Sequence, residues 1–237
     1  LHAGQDIILY GSGRRCIRIL PLLVSAGISI KAIIDSEHTR WGVRIENFEI
    51  QAPSILQECK DTAFCITVAD PEEQEQIRAA IKGEHGYDLA YEIRYDDLAL
   101  EAVLLIQRTK IERADFAERC KHPIVFDCIS GLGLGGIEEW TKGLCVELLK
   151  QGFHNLHIFT DMGQYQVQDI LIPVVDQVLD KERIRFREDI LHCIMDYLTD
   201  LMPVTVIAGK PGFFLEAADL LKQIAPEKIR IISVIHG

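Results

Sequence analysis

The sequence predicts an α/β chain built from two consecutive units with parallel sheets, joined by a helical segment. Short apolar runs of strand length alternate with helix-period segments along the chain. Twice, such a run ends in a glycine cluster that opens a helix, first at Gly11-Ser12-Gly13 and again from Gly131 to Gly136. Composition makes the architecture feasible. With 237 residues, 48% hydrophobic and 26% charged, the chain suits one large or two ordinary packed domains, and disordered or collagen-like classes are excluded.

Residues 6–10 (DIILY) form the first strand, the glycine cluster turns the chain, and Ile17, Leu20, Leu23 and Val24 then recur at helical spacing. Gly27 closes this helix, and residues 30–34 (IKAII) make a second strand that ends at Asp35. This is a β-α-β unit, the Rossmann-like arrangement in which a crossover helix joins parallel neighbours. Pro53 opens a short helix, residues 62–68 form a third strand, and residues 71–82 form a helix with an acidic first turn. Residues 96–120 are amphipathic and helical, free of glycine and proline, and are expected to be the joint.

The scheme restarts at Pro123, with a strand at 124–129, the second glycine loop, a helix at 137–150 closed by Gly152, and a strand at 156–160. A polar loop at 163–168, an apolar piece at 170–175, a helix at about 180–201, a strand at 204–208, a helix at 213–224 and a strand at 229–235 complete it. The expected divisions are 1–95, a nucleotide- or nucleotide-sugar-binding-like Rossmann-like domain; 96–121, a helical linker; and 122–237, the second unit.

The 25 basic residues against 36 acidic ones give a net charge of −11, which argues against a broad electrostatic grip on nucleic acid or an anionic membrane surface. Seven cysteines without a C-x-x-C pair read as reduced thiols in a cytoplasmic protein. The first residues, LHAGQDIILYG, lack the basic region and small-residue cleavage site of a signal peptide, and no uncharged apolar stretch approaches the ~20 residues of a membrane span. Because it starts at Leu1 and stops just after an apparent buried strand, the chain is expected to be a fragment of a longer protein.

Gly11-x-Gly13-x-x-Cys16 sits where a dinucleotide-binding loop would, and Asp35 ends the second strand where a ribose-binding carboxylate belongs. Gly11, Gly13 and Asp35 are therefore the cofactor-binding candidates, with NAD as one ligand; the alternative is a loop that only turns the chain. His154 and His157 have H-x-x-H spacing but no third ligand nearby, so no metal site is expected. The P-loop pattern is absent, and Glu188, Asp189, Asp196 and Asp200 read as the wet face of a helix.

Residues 8–56, with Asp35, Trp41, Gly42 and Pro53 in register, resemble the small Rossmann-like domain at the front of sugar acetyltransferases and other polysaccharide-synthesis enzymes. In that pattern a hairpin containing the tryptophan and glycine follows the aspartate and precedes the proline-led helix, and Asn47 stands at the hairpin turn, where glycine is usual. The second glycine cluster, the helix through Leu144, Leu148 and Leu149 to Gly152-Phe153-His154, and the strand from Leu156 to Thr160 resemble the start of group 1, retaining glycosyltransferases of the GT-B fold. Gly135, Gly136 and Glu138 align with that family's GG-x-E loop, and His236 with a histidine that contacts the transferred sugar. Gly209-Lys210-Pro211-Gly212 departs from the family's histidine-containing turn.

The resemblance implies transfer of a sugar from a nucleoside-diphosphate donor to a saccharide or lipid-linked acceptor, with His236 catalytic and Gly135, Gly136 and Glu138 substrate-binding. The nucleotide-holding C-terminal domain would lie beyond Gly237, so this fragment by itself is expected to be inactive. The rival readings are an NAD-type dinucleotide-binding protein and a non-catalytic interaction module.

Overall fold

The computed structural model describes residues 4–59, 61–86, 88–114, 122–127, 136–160, 176–177, 187–209 and 211–234. It divides into two compact units, Leu1–Ile106 and Gln107–Gly237. Both are α/β and Rossmann-like, as the alternation predicts.

In the first unit the chain runs through β1 (Asp6–Tyr10), α1 (Arg14–Ser25), β2 (Ser29–Ile34), β3 (Arg44–Ile45), β4 (Phe48–Gln51), β5 (Ala63–Ile66) and α2 (Pro71–Gly83) into α3 (Tyr95–Arg113). The strand order is β3-β4-β2-β1-β5. β1 pairs in parallel with both β2 and β5, and β2 in parallel with β4. The sheet is nonetheless mixed, because β3 is antiparallel to β4. Only Glu46 and Asn47 separate those two strands, and a connection that short permits no other pairing. Glu46 takes a left-handed φ of 49° in that turn.

Side chains of β1 alternate between two cores. Ile7 and Leu9 pack with α1 and with Leu98, Ala99 and Ala102 of α3, whereas Ile8 and Tyr10 pack with Leu56, Phe64 and the α2 residues Ile77 and Ile81. A strand buried on both faces needs a continuous apolar run, which is why DIILY carries no internal polar residue. Burial of each such Ile or Leu is worth roughly 1.5–3 kcal/mol.

The buried stripe of α1 is Cys16, Ile19, Leu20 and Leu23, while Ile17 and Val24 are exposed. The spacing i, i+3, i+4, i+7 holds, but rotated from the expected stripe because the small Cys16 thiol packs against the sheet. The helix ends in a Schellman motif: Gly27 N–H donates to Val24 O (3.0 Å) and Ile28 N–H to Leu23 O (3.0 Å), with Gly27 at φ 72°.

The second unit contains β6 (Ile124–Asp127), α4 (Gly136–Lys150), β7 (Leu156–Thr160), β8 (Asp176–Gln177), α5 (Arg187–Leu201), β9 (Val204–Ala208), α6 (Phe213–Ile224) and β10 (Ile229–Ser233). Its strand order is β10-β9-β6-β7-β8, all parallel. Phe126, Leu156, Ile158 and Ile207 form one core with Cys145 and the α4 residues Trp140, Leu144 and Leu148. On the other face Phe159 packs its ring 4.7 Å from that of Phe214 and 5.5 Å from that of Tyr197. α4 ends in the same motif as α1, with Gly152 N–H donating to Leu149 O and Phe153 N–H to Leu148 O.

Residues 180–186 of the expected long helix, the loop 128–135 and the segment 161–175 lie outside the described residues, as does Asp161. No helix among the described residues is long and apolar enough to cross a membrane.

Candidate functional site

In an open parallel sheet, ligands bind outside the carboxyl ends of strands at the point where the chain switches from one side of the first strand to the other. In the first unit that point lies between β1 and β5, since β2 flanks β1 on one side and β5 on the other. A cavity of about 280 Å³ opens there. It is lined by the loop after β1 (Gly11, Ser12, Gly13), the end of β2 (Asp35, Glu37), the end of β5 (Thr67, Val68) and the basic residues Arg14, Arg15 and Arg40.

Gly11 is demanded by the backbone. Its φ is 101°, and a Cβ there would lie 2.7 Å from Val68 Cγ2 and 3.3 Å from Thr67 Oγ1. Its N–H donates to Ile34 O at 2.8 Å, and the Thr67 hydroxyl donates to the carbonyls of Tyr10 and Gly11, so β2 and β5 both fasten this turn. Gly13 is different. It caps α1 with φ −80°, and a Cβ on it would meet nothing within 4 Å.

Asp35 is brought to the loop as the sequence predicts, at 8% exposure. Its Oδ2 accepts from Ser12 N–H (2.8 Å) and from the Ser12 hydroxyl (2.6 Å), and its Oδ1 accepts from Glu37 N–H (2.9 Å). Arg40 Nη1 lies 3.6 Å from Oδ2 and donates to Ser12 Oγ at 3.0 Å. Burial alone would raise the pKa of this carboxyl, but the Ser12 hydroxyl, the two amides and Arg40 together outweigh it and hold the group below its ordinary value of 3.8. Glu37, exposed, is lowered by the Thr39 hydroxyl and by Arg40. Arg15 donates to Val68 O at 3.4 Å and lies 4.8 Å over the Tyr95 ring.

Cys16 occupies the third glycine's place. Burial pushes its thiol up to about 12, so it is a neutral packing group and no nucleophile at neutral pH. Tyr10, on the cavity wall, is likewise pushed up to about 12, by burial first and by Asp35 second. None of the described cysteines, Cys16, Cys59, Cys65, Cys145 and Cys193, is in a disulfide.

The second unit has its own switch point between β6 and β9, where buried Asp127 faces Ala208 in register. Gly136 and Glu138 lie in the first turn of α4, at the amino end of the helix that follows β6. Gly135 and His236, the expected substrate and catalytic residues, lie outside the described residues, as does Lys210. His154 is exposed, and His157 Nε2 sits 3.0 Å from Asn155 Oδ1. Among the described residues no group of three metal-binding side chains comes together.

Gly11, Gly13 and Asp35, which the sequence singles out, line this cavity together with Ser12, Arg14, Arg15, Arg40 and Thr67, which it does not. The Arg14-Arg15 pair immediately after the glycine cluster was a legible signal for the first two arginines. Fold and site together define an α/β chain of two Rossmann-like units with a polar, arginine-lined cavity at the switch point of the first. Compared with known proteins, the chain matches no protein-family model and no curated protein.

Proposed function

We propose that the chain belongs to a glycosyltransferase that moves a sugar from a nucleoside-diphosphate donor to a saccharide or lipid-linked acceptor, and that its first unit binds the nucleotide sugar. The observation that carries the reading is the cavity at the first switch point, with a glycine turn, the start of α1 and three arginines around one opening. The second unit supports it by the resemblance of its glycine loop and of His236 to the retaining group 1 enzymes.

In this reading Gly135 and Gly136 bind substrate. Glu138 binds substrate, and in the complete enzyme His236 contacts the transferred sugar as its anomeric carbon exchanges the diphosphate oxygen for an acceptor hydroxyl oxygen, whose proton leaves with the diphosphate. The diphosphate leaving group needs positive counter-charge, and helix amino ends offer it without a mobile side chain.

Calorimetric titration of the protein with UDP-, GDP- and dTDP-sugars and with NAD tests the reading. A nucleoside-diphosphate sugar is expected to bind and NAD to give no heat. Binding of NAD with no response to any nucleotide sugar would replace this function with the dinucleotide-binding one, and silence toward both would leave an interaction module.

A further inference from the structure

We propose that the outer edge of β10 is a docking site for an extended, acidic segment of a partner protein, which adds to the sheet of the second unit as a further strand. Two independent observations meet at this edge: backbone groups left unbonded along it and a basic hollow at its amino end.

β10 is the outermost strand of its sheet and, among the described residues, pairs with β9 alone. Val204 N–H donates to Lys228 O (3.0 Å) and Val234 N–H to Ala208 O (2.9 Å), which sets the parity of this parallel ladder. Arg230 and Ile232 bond to β9, so the N–H and C=O groups of Ile229, Ile231 and Ser233 point outward, with no hydrogen-bond partner among the described residues. The other sheet edges are closed or too short to serve as templates. β3 and β8 have two residues each, and the free side of β5 is taken by the bridge from Phe64 to Glu92 and by Ile93 N–H, which donates to Phe64 O at 2.8 Å. β10 runs five residues in unbroken register, without proline, and leaves Ile232 41% exposed. Such an edge recruits another strand by main-chain bonding.

Charge identifies the occupant. A hollow of about 550 Å³ at the amino end of β10 is lined by Lys222, Lys228 and Arg230, with exposed His122, against one carboxylate, Glu227. That is a local excess of base in a chain with 36 acidic residues to 25 basic ones. Arg230 makes no ion pair among the described residues. Side chains alternate along a strand, so Lys228, Arg230 and Ile232 form one row. The facing row of an added strand then calls for two acidic residues and an apolar one at alternate positions. A second copy of β10 does not supply them: IRIIS carries no carboxylate, and pairing two such strands about Ile231 sets Arg230 against Ile232.

The test titrates the whole chain with two dye-labelled, end-capped peptides, Glu-Val-Glu-Val-Ile and its reverse Ile-Val-Glu-Val-Glu, and follows fluorescence anisotropy at low salt. At least one direction is expected to bind and to slow hydrogen exchange at residues 229–233. Replacing both glutamates with lysine, or N-methylating the peptide's backbone amides, should each weaken binding by about tenfold or more. Arg230→Glu, at an exposed position, should leave the melting temperature unchanged, weaken the glutamate peptide and improve binding of the lysine peptide. The proposal is overturned if neither direction binds, if the N-methylated peptide binds as well as its parent, if Arg230→Glu changes neither affinity, or if protection falls outside residues 229–233. A dimer in sedimentation that itself protects residues 229–233 would also overturn it, by giving the edge to a second copy.

Discussion

Asp35 shows how one carboxylate ties three pieces of chain together: the end of β2, the loop after β1 through Ser12, and the following turn through Glu37 and Arg40. Replacing it with alanine leaves the buried Ser12 N–H without its partner. Asp35→Ala should therefore lose about 1–3 kcal/mol in a denaturant melt. The sign of the pH dependence follows from its lowered pKa. The stabilisation is fully present above the unfolded value near 3.8 and is lost as the pH falls through the lower native value. Asp35→Asn should flatten the stability profile below about pH 4 relative to the parent, and an unchanged acid limb would refute this linkage. At Gly11, alanine meets both a φ of 101° and a Cβ contact of 2.7 Å with Val68, so Gly11→Ala should cost about 1–3 kcal/mol by the same melt. Gly11, Gly13 and Asp35 were legible because glycine spacing and strand-end carboxylates are local signals. The Thr67 and Arg40 contacts were not, since they depend on which strand lies beside β1 and on the path of the turn after β2.

Among the elements, α1 is the instructive case. Its existence and its end at Gly27 follow from the sequence, but the stripe built on Ile17 and Val24 is one residue out of phase with the buried one. Apolar residues at 16, 17, 19, 20, 23 and 24 support either face, and only the sheet decides. The exposed Ile17 and Val24 are the cost of that ambiguity. Gly27 sits left-handed at φ 72°, and the Schellman motif needs it there. Gly27→Ala is expected to destabilise the protein by about 1–2 kcal/mol, read as a lowered melting temperature with an unchanged far-ultraviolet dichroism spectrum. The antiparallel β3–β4 pair is out of reach of periodicity, because strands of two and four residues carry too little of it, and only the resemblance, which puts a hairpin turn at Asn47, anticipates it. The strands β1, β7 and β9 match their expected bounds residue for residue, since each is a mostly apolar five-residue run between turn residues.

For the whole molecule, two Rossmann-like units in one chain give two switch points, each following a strand that runs toward a glycine cluster. The alternation of runs and helices was enough to read that architecture, whereas ligand chemistry depends on side chains that converge only after folding. In a chain of net charge −11, the cavity of the first unit gathers Arg14, Arg15 and Arg40 together with Asp35, Glu37 and Glu73. Hydrogen–deuterium exchange of the whole chain, with and without a nucleoside-diphosphate sugar, tests the proposed function of this cavity most directly because it reports both binding and place. The account predicts slowed exchange in the peptide covering residues 12–16, most of which lines the cavity of the first unit. Unchanged exchange in that peptide at saturating ligand, or protection confined to other segments, would contradict it.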